Sequence, residues 1–154
     1  MRQQHKRRIR ILGWILFLAY LTLLIYFLFF AEGYGRQQAG TGEYRYNLIP
    51  FAEIRRFWVY RKQVGIMAAF LNLGGNVVGF MPFGFLLPVL SEKMRRFWVT
   101  VPLGFSLSLS VECVQLAAKV GSFDVDDIIL NTLGVILGYA AFRILNWIRR
   151  TVFY

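Results

Sequence analysis

Residues 11–31 carry no charge and read ILGWILFLAYLTLLIYFLFFA. No other feature limits the chain as much. At 1.5 Å of rise per residue, a helix of this length is about 30 Å long, the thickness of a bilayer's hydrocarbon core. The tail before it holds Arg2, Lys6, Arg7, Arg8 and Arg10. A cleaved leader has a shorter apolar region and a small-residue cleavage site behind it, and this stretch is too long and poorly followed by such residues. It reads as a retained first transmembrane helix. Composition agrees: 57% of the 154 residues are apolar and 18% aromatic, while charged residues fall to 17%. That is too little polar material to cover a water-soluble globule. The net charge of +10 sits beside apolar runs. A nucleic-acid binder would instead gather it on a polar face, so nucleic acid is not an expected partner.

The single cysteine, Cys113, excludes an intrachain disulfide framework and a multi-cysteine metal site. The single histidine, His5, lies in the basic tail, which argues against a histidine triad or a multi-histidine zinc site. No cofactor and no metal are expected.

Three further apolar stretches follow. Residues 63–91 are uncharged but contain Asn72, Gly74, Gly75, Asn76, Gly79, Pro82, Gly84 and Pro88; they are long enough to span once, with a kink expected at Pro82. A link with Glu92, Lys93, Arg95 and Arg96 leads to a third span that holds one charge, Glu112. After a short acidic loop, residues 119–127, a fourth span begins near Ile128 and ends at Arg143 or shortly after, anchored by Trp147, Arg149 and Arg150. The expected fold is all-α: a polytopic membrane protein with four transmembrane helices, as one domain over residues 1–154, with spans at about 11–31, 66–90, 98–118 and 128–146.

Four spans put both termini on one side. With the termini inside, the inner segments hold five, three and three Lys/Arg, against six and one in the outer loops. The outer loops also hold Glu32, Glu43, Glu53, Asp124, Asp126 and Asp127. The positive-inside rule therefore favours cytoplasmic N- and C-termini. The first outer loop divides in two. EGYGRQQAGTGEYRY is Gly-rich and polar, and should be irregular. NLIPFAEIRRFWVYRK places Phe51, Ile54 and Trp58 at i, i+3 and i+7 with Arg55, Arg56, Arg61 and Lys62 nearby, which is the pattern of a basic amphipathic segment at the membrane surface. An ordinary loop with scattered aromatics fits the same residues.

The polar residues inside the spans are the candidate site. Asn72, Asn76, Gly79 and Phe83 share one face of the second span. Ser108, Glu112 and Gln115 share one face of the third. Asp127, Asn131, Gly134 and Gly138 share one face of the fourth, with Asp124 one turn earlier. The first span has no such stripe. Glu112 lies six residues from the outer end of its span, about 9 Å deep, and Asn131 and Asn76 fall in the same outer half. One polar pocket opening outward would join them. An ionisable group in a span costs at least about 2.5–3.5 kcal/mol and normally faces a cavity or a partner. A purely structural alternative has Glu112 bonded to Asn76 or Asn131, tying helices together. For the acidic run Asp124-Val125-Asp126-Asp127, helix capping by Ser122 or Asp124, with Asp126 and Asp127 in the first turn, fits better than a Ca²⁺ loop, which would need more oxygen ligands. Gly75/Gly79 and Gly134/Gly138 are candidate GxxxG contacts, and Cys113 a small packing residue.

Four blocks together resemble one known family. NLIPF (47–51), NLGGNVVGFMPFGFLLPVL (72–90), SLSVECVQL (108–116) and GSFDVDDIILNTLGVILGY (121–139) match the VanZ-like membrane proteins in order and spacing. The resemblance implies a small multi-pass bacterial membrane protein of the cell envelope, in a family whose founding member is associated with low-level teicoplanin resistance. The family often carries a basic residue just before the acidic loop, where this chain has Lys119.

The leading functional expectation is a non-catalytic protein that binds or modulates a lipid or amphiphile. Asn72, Asn76, Ser108, Glu112, Gln115, Asp124, Asp127 and Asn131 would line its pocket, and Arg55 and Arg56 would meet headgroups. Membrane lipids, a lipid-linked envelope precursor or a lipoglycopeptide are the partners this implies, and an oligomer is compatible with it. The alternatives are an intramembrane acid–base enzyme acting on a lipid-linked cell-wall substrate, with Glu112 as base, and a small proton-coupled transporter.

Overall fold

A computed structural model describes residues 2–30 and 44–153. Six α-helices account for most of them: α1 (Arg2–Phe30), α2 (Ala52–Val59), α3 (Arg61–Val64), α4 (Ile66–Leu90), α5 (Phe97–Ala118) and α6 (Val125–Phe153), with one 3₁₀ turn at Lys93–Arg95. Two two-residue strands, β1 (Tyr46–Asn47) and β2 (Phe123–Asp124), pair in parallel, Tyr46 opposite Phe123 and Asn47 opposite Asp124. The stretch expected to be irregular falls largely at residues 31–43, outside the described residues, together with Glu32 and Glu43.

Four helices are long and apolar enough to cross a membrane: Arg10–Phe29, Phe70–Leu90, Phe97–Ala118 and Val125–Val152. The fold is all-α and polytopic, and its lipid-facing side chains show it: Leu18, Leu23, Phe70, Trp98 and Trp147 are all exposed by more than half. In water such a surface would aggregate; in hydrocarbon it is the correct one. The last helix starts at Val125 rather than near Ile128, because Asp124 caps it: the Asp126 N–H donates to Asp124 Oδ1 at 2.8 Å. It also runs on to Phe153, about 43 Å in all, so its end projects past the bilayer core.

The bundle is built on α4 and α6, which meet backbone against backbone. A Cβ on Gly134 would lie 2.1 Å from the Val77 carbonyl oxygen, one on Gly138 2.0 Å from that of Met81, and one on Gly84 2.0 Å from that of Val135. Lipid tails are as apolar as leucine, so helix association here rests on dispersion contact, and only glycine lets the axes come this near. Gly134 and Gly138 thus form the expected close contact. Gly75 and Gly79 do not: a Cβ on Gly75 would meet nothing within 4 Å, and one on Gly79 only a Leu24 methyl at 3.7 Å. The α4 partner in that contact is Gly84.

Around this pair the core closes with Phe80, Phe83, Leu87, Leu90 and Val135, and with Phe17 and Leu24 from α1. α4 continues unbroken through Pro82 and Pro88. Pro82 has no N–H for the Val78 carbonyl, and at the next carbonyl along, Gly79, the Tyr20 hydroxyl of α1 donates at 2.9 Å. At the α4–α5 turn, Thr100 and Tyr139 donate to the carbonyls of Met94 and Arg95. Cys113 does not pack between helices; it is exposed on the outer side of α5.

Candidate functional site

The antiparallel order brings the C-terminal ends of α1 and α5 and the N-terminal ends of α4 and α6 to the same end of the bundle, and the expected polar residues lie there. α6 is their hub. On one side, the Asn76 amide of α4 donates to Asp127 Oδ1. On another, Glu112 of α5 accepts the Asp124 N–H on Oε2 at 3.0 Å, so the α5–α6 turn folds down onto a carboxylate a turn and a half below the helix end. One turn deeper, the Asn131 amide donates to Ser108 Oγ at 2.9 Å. Asn76 and Asn131, the two partners considered for Glu112, thus give their amide hydrogens to Asp127 and Ser108. Gln115 reaches α1 instead, donating to the Leu28 carbonyl at 2.9 Å, one of the carbonyls a helix end leaves without an internal donor. Asn72 lies half-buried one turn before Asn76 and takes no part in these bonds.

Most of this set is sealed: Ser108, Glu112, Gln115 and Asn131 are at most 2% exposed, and Asp124 is 8% exposed. Asn72, Asn76 and Asp127 are half-buried. Two acceptors inside stay without a partner among the described residues, Asn131 Oδ1 and Thr132 Oγ1.

The segment joining β1 to α4 covers this end. Asn47 Nδ2 donates to Asp124 Oδ1 at 3.1 Å, and Asn47 Oδ1 accepts the Ile49 N–H at 3.1 Å, which turns the chain before Pro50. Asp126 lies in the first turn of α6, where the helix dipole favours an acid, yet its side chain serves a different helix. It accepts the N–H groups of Phe51, Glu53 (2.8 Å) and Ile54 (3.0 Å) and so caps α2 from outside. Asp126 is fully buried. Phe51, the residue before α2, takes a left-handed backbone at φ 64°, uncommon for a residue with a side chain. Asn47 and the outward reach of Asp126 were not singled out from the sequence. Asn47 opens the NLIPF block and stands three residues before Pro50, which marks a turn without naming its partner.

α2 and α3 are shorter than the expected amphipathic helix and break at Tyr60. Ile54 and Phe57 are half-buried, whereas Phe51 and Trp58 are 61% and 64% exposed. Together with Leu48, Ile49 and Tyr60 they form an apolar rim facing away from the bundle, where a membrane interface would take them. Arg61 stacks over the Trp58 ring at 4.8 Å and Lys119 over Tyr44 at 4.7 Å. The two arginines assigned to headgroups differ. Arg56 pairs with Glu53 at 2.6 Å, while Arg55 is exposed and forms no ion pair among the described residues.

Outside the spans, two carboxyls are perturbed. Burial pushes Asp124 upward, against the lowering effect of its hydrogen bonds from Asp126 and Asn47. Burial pushes Glu53 upward too, opposed by Arg56 and reinforced by the charges of Asp124 and Asp126. Among the described residues, no three His, Cys, Asp or Glu side chains come together as a metal site.

The profile of the VanZ/LLP1 family matches residues 17–146 of this chain. Protein VanZ of Enterococcus faecium is 35% identical over 77 residues, covering 50% of this chain and 47% of that protein, so the match spans about half of the curated relative's length. No solved structure matches. Residues 17–146 take in the second and third transmembrane helices whole, most of the first and the last, and the polar groups around the first turns of α6.

Proposed function

The chain belongs to the VanZ/LLP1 family, and from that premise we propose that it is a non-catalytic protein of the bacterial cell envelope that binds a lipid or amphiphile at the outer, polar end of its bundle. One observation carries the reading. Polar side chains from separate sequence blocks gather around the first turns of α6, directly beside a rim of exposed aromatics and an exposed Arg55. An amphiphile offers a polar body and an apolar tail. The body would meet the half-buried Asn72, Asn76 and Asp127 first, above the sealed Ser108, Glu112, Gln115, Asp124 and Asn131. The tail would follow the lipid-facing helix surface, and Arg55 would hold an anionic headgroup or phosphate. A lipoglycopeptide such as teicoplanin, or a lipid-linked envelope precursor, has this form. In this reading both termini are cytoplasmic. An acid–base enzyme is the weaker reading, because Asp124 and Asp126 already cap helices.

The test is binding by the full chain in nanodiscs, with teicoplanin as probe and tryptophan fluorescence as readout. Combining Glu112→Gln with Asn76→Ala should weaken binding about tenfold or more, a loss of about 1.4 kcal/mol. Arg55→Ala should weaken it only when the disc contains anionic phosphatidylglycerol. Unchanged affinity in a folded double variant would refute the assignment.

A further inference from the structure

The cover over the polar end is fastened in an unusual way. α2 has no buried residue. Its apolar side chains either rest half-buried on the bundle or face outward, so burial of large side chains does not hold it down. Its attachment is polar: three N–H bonds to Asp126, the Asn47–Asp124 bond, and the two-residue bridge between β1 and β2. Downstream, the chain turns into α4 at Gly65, with φ 95° and ψ 127°, a conformation natural to glycine, and a Cβ placed there would meet nothing within 4 Å. Beneath the cover lie fully buried groups, one of which, Asn131 Oδ1, has no hydrogen-bond partner among the described residues. A buried acceptor without a donor is a group that gains when water reaches it.

We propose that residues 46–64 form a flap over the outer polar end of the bundle, latched by the Asp126 carboxylate and hinged at Gly65, and that releasing the latch admits water to Asn131 and Ser108. The left-handed backbone at Phe51 fits a latch, since that turn is kept by the bonds to Asp126 and relaxes once they break. The charges around the latch are Glu53, Glu112, Asp124 and Asp127, with Arg56 as the cation paired to the flap's own Glu53. The proposal rests on the reading above in taking this end as the working end. Its test needs no ligand, so failure of the flap and failure of ligand binding are told apart.

The experiment uses the full chain in nanodiscs with the exposed Cys113 replaced by serine and a reporter introduced as Ser108→Cys. A charged, membrane-impermeant thiosulfonate reports water access. With Asp126 intact, labelling should be slow; Asp126→Ala should accelerate it about tenfold or more. Oxidising a Tyr46→Cys/Phe123→Cys pair should return it to the slow rate, since bridged strand neighbours lie about 4.8 Å apart, within disulfide reach. A folded Asp126→Ala protein that labels no faster, or a lock that changes nothing, overturns the proposal. Should Asp126→Ala fail to fold, hydrogen exchange on the unmutated protein decides. The amides of Phe51, Glu53 and Ile54 should exchange together, about 100-fold faster than those in the middle of α4 and α6; equal rates overturn it.

Discussion

Buried side chains at the polar end of the bundle act through their partners, and single substitutions expose this. Asn131 gives its amide hydrogen to Ser108 in a fully buried position. Ser108→Ala should therefore cost about 1–2 kcal/mol, because it leaves a buried donor without an acceptor. Adding Asn131→Leu, of similar volume, should recover most of the loss, and thermal unfolding in detergent measures both. Asp124 and Glu53 give a pH signature. Each carboxyl is raised by burial above its ordinary value, 3.8 for Asp124 and 4.5 for Glu53, so between the unfolded and folded values the native state binds more protons. Their contribution is therefore greatest below the unfolded value and is lost as pH rises through the folded one. The melting temperature of the wild type relative to Asp124→Asn should fall as pH is raised from about 4 to 7; a difference independent of pH would contradict this. The spacing of the sequence marked Glu112, Asn76 and Asn131 as worth watching, but it did not supply the partners the structure shows. Their partners, Asp124, Asp127 and Ser108, are set by how far each helix is rotated and how deep it sits.

At the scale of elements, the α4–α6 contact is the least forgiving part of the molecule. Gly84→Ala, Gly134→Ala and Gly138→Ala each place a methyl about 2 Å from a carbonyl oxygen of the opposite helix, which can be relieved only by moving the helices apart. Each should abolish a cooperative thermal transition or lower stability by more than about 3 kcal/mol, at the severe end for single substitutions. Gly75→Ala is the control: with open space around it, it should leave stability unchanged or raise it by up to about 1 kcal/mol through better helix propensity. The two small-residue patterns were equally visible in the sequence, yet only Gly134/Gly138 is a contact. Gly75 is exposed, on a face of α4 turned away from the contact that Val77 makes with Gly134, and no periodicity reports which face of a helix meets its neighbour. The segment after Pro50 teaches the same point. Its aromatic stripe was legible, but Phe51 and Trp58 turn outward while Ile54 and Phe57 rest against the bundle. An interfacial helix has apolar surroundings on two sides, and sequence does not say which side is protein.

For the whole molecule, the charge distribution predicts an orientation. With both termini cytoplasmic, a cysteine at Glu92, in the basic link before α5, should react with an impermeant maleimide only in inverted vesicles. One at Ser122, in the acidic turn, should react from outside in intact cells. The opposite pattern would reverse the reading of which end faces a ligand. Membrane class, span number and candidate polar residues were determined by sequence alone, because charge-free length and 3.6-residue spacing are properties of one helix at a time. The tertiary structure alone decided that Asp126 caps a helix more than seventy residues back along the chain, that Asn47 meets Asp124, and that Gly84 faces Val135. Those are relations between elements, set by rotation, depth and approach of helices in a medium where close packing and hydrogen bonds, rather than the exclusion of water, choose the neighbours.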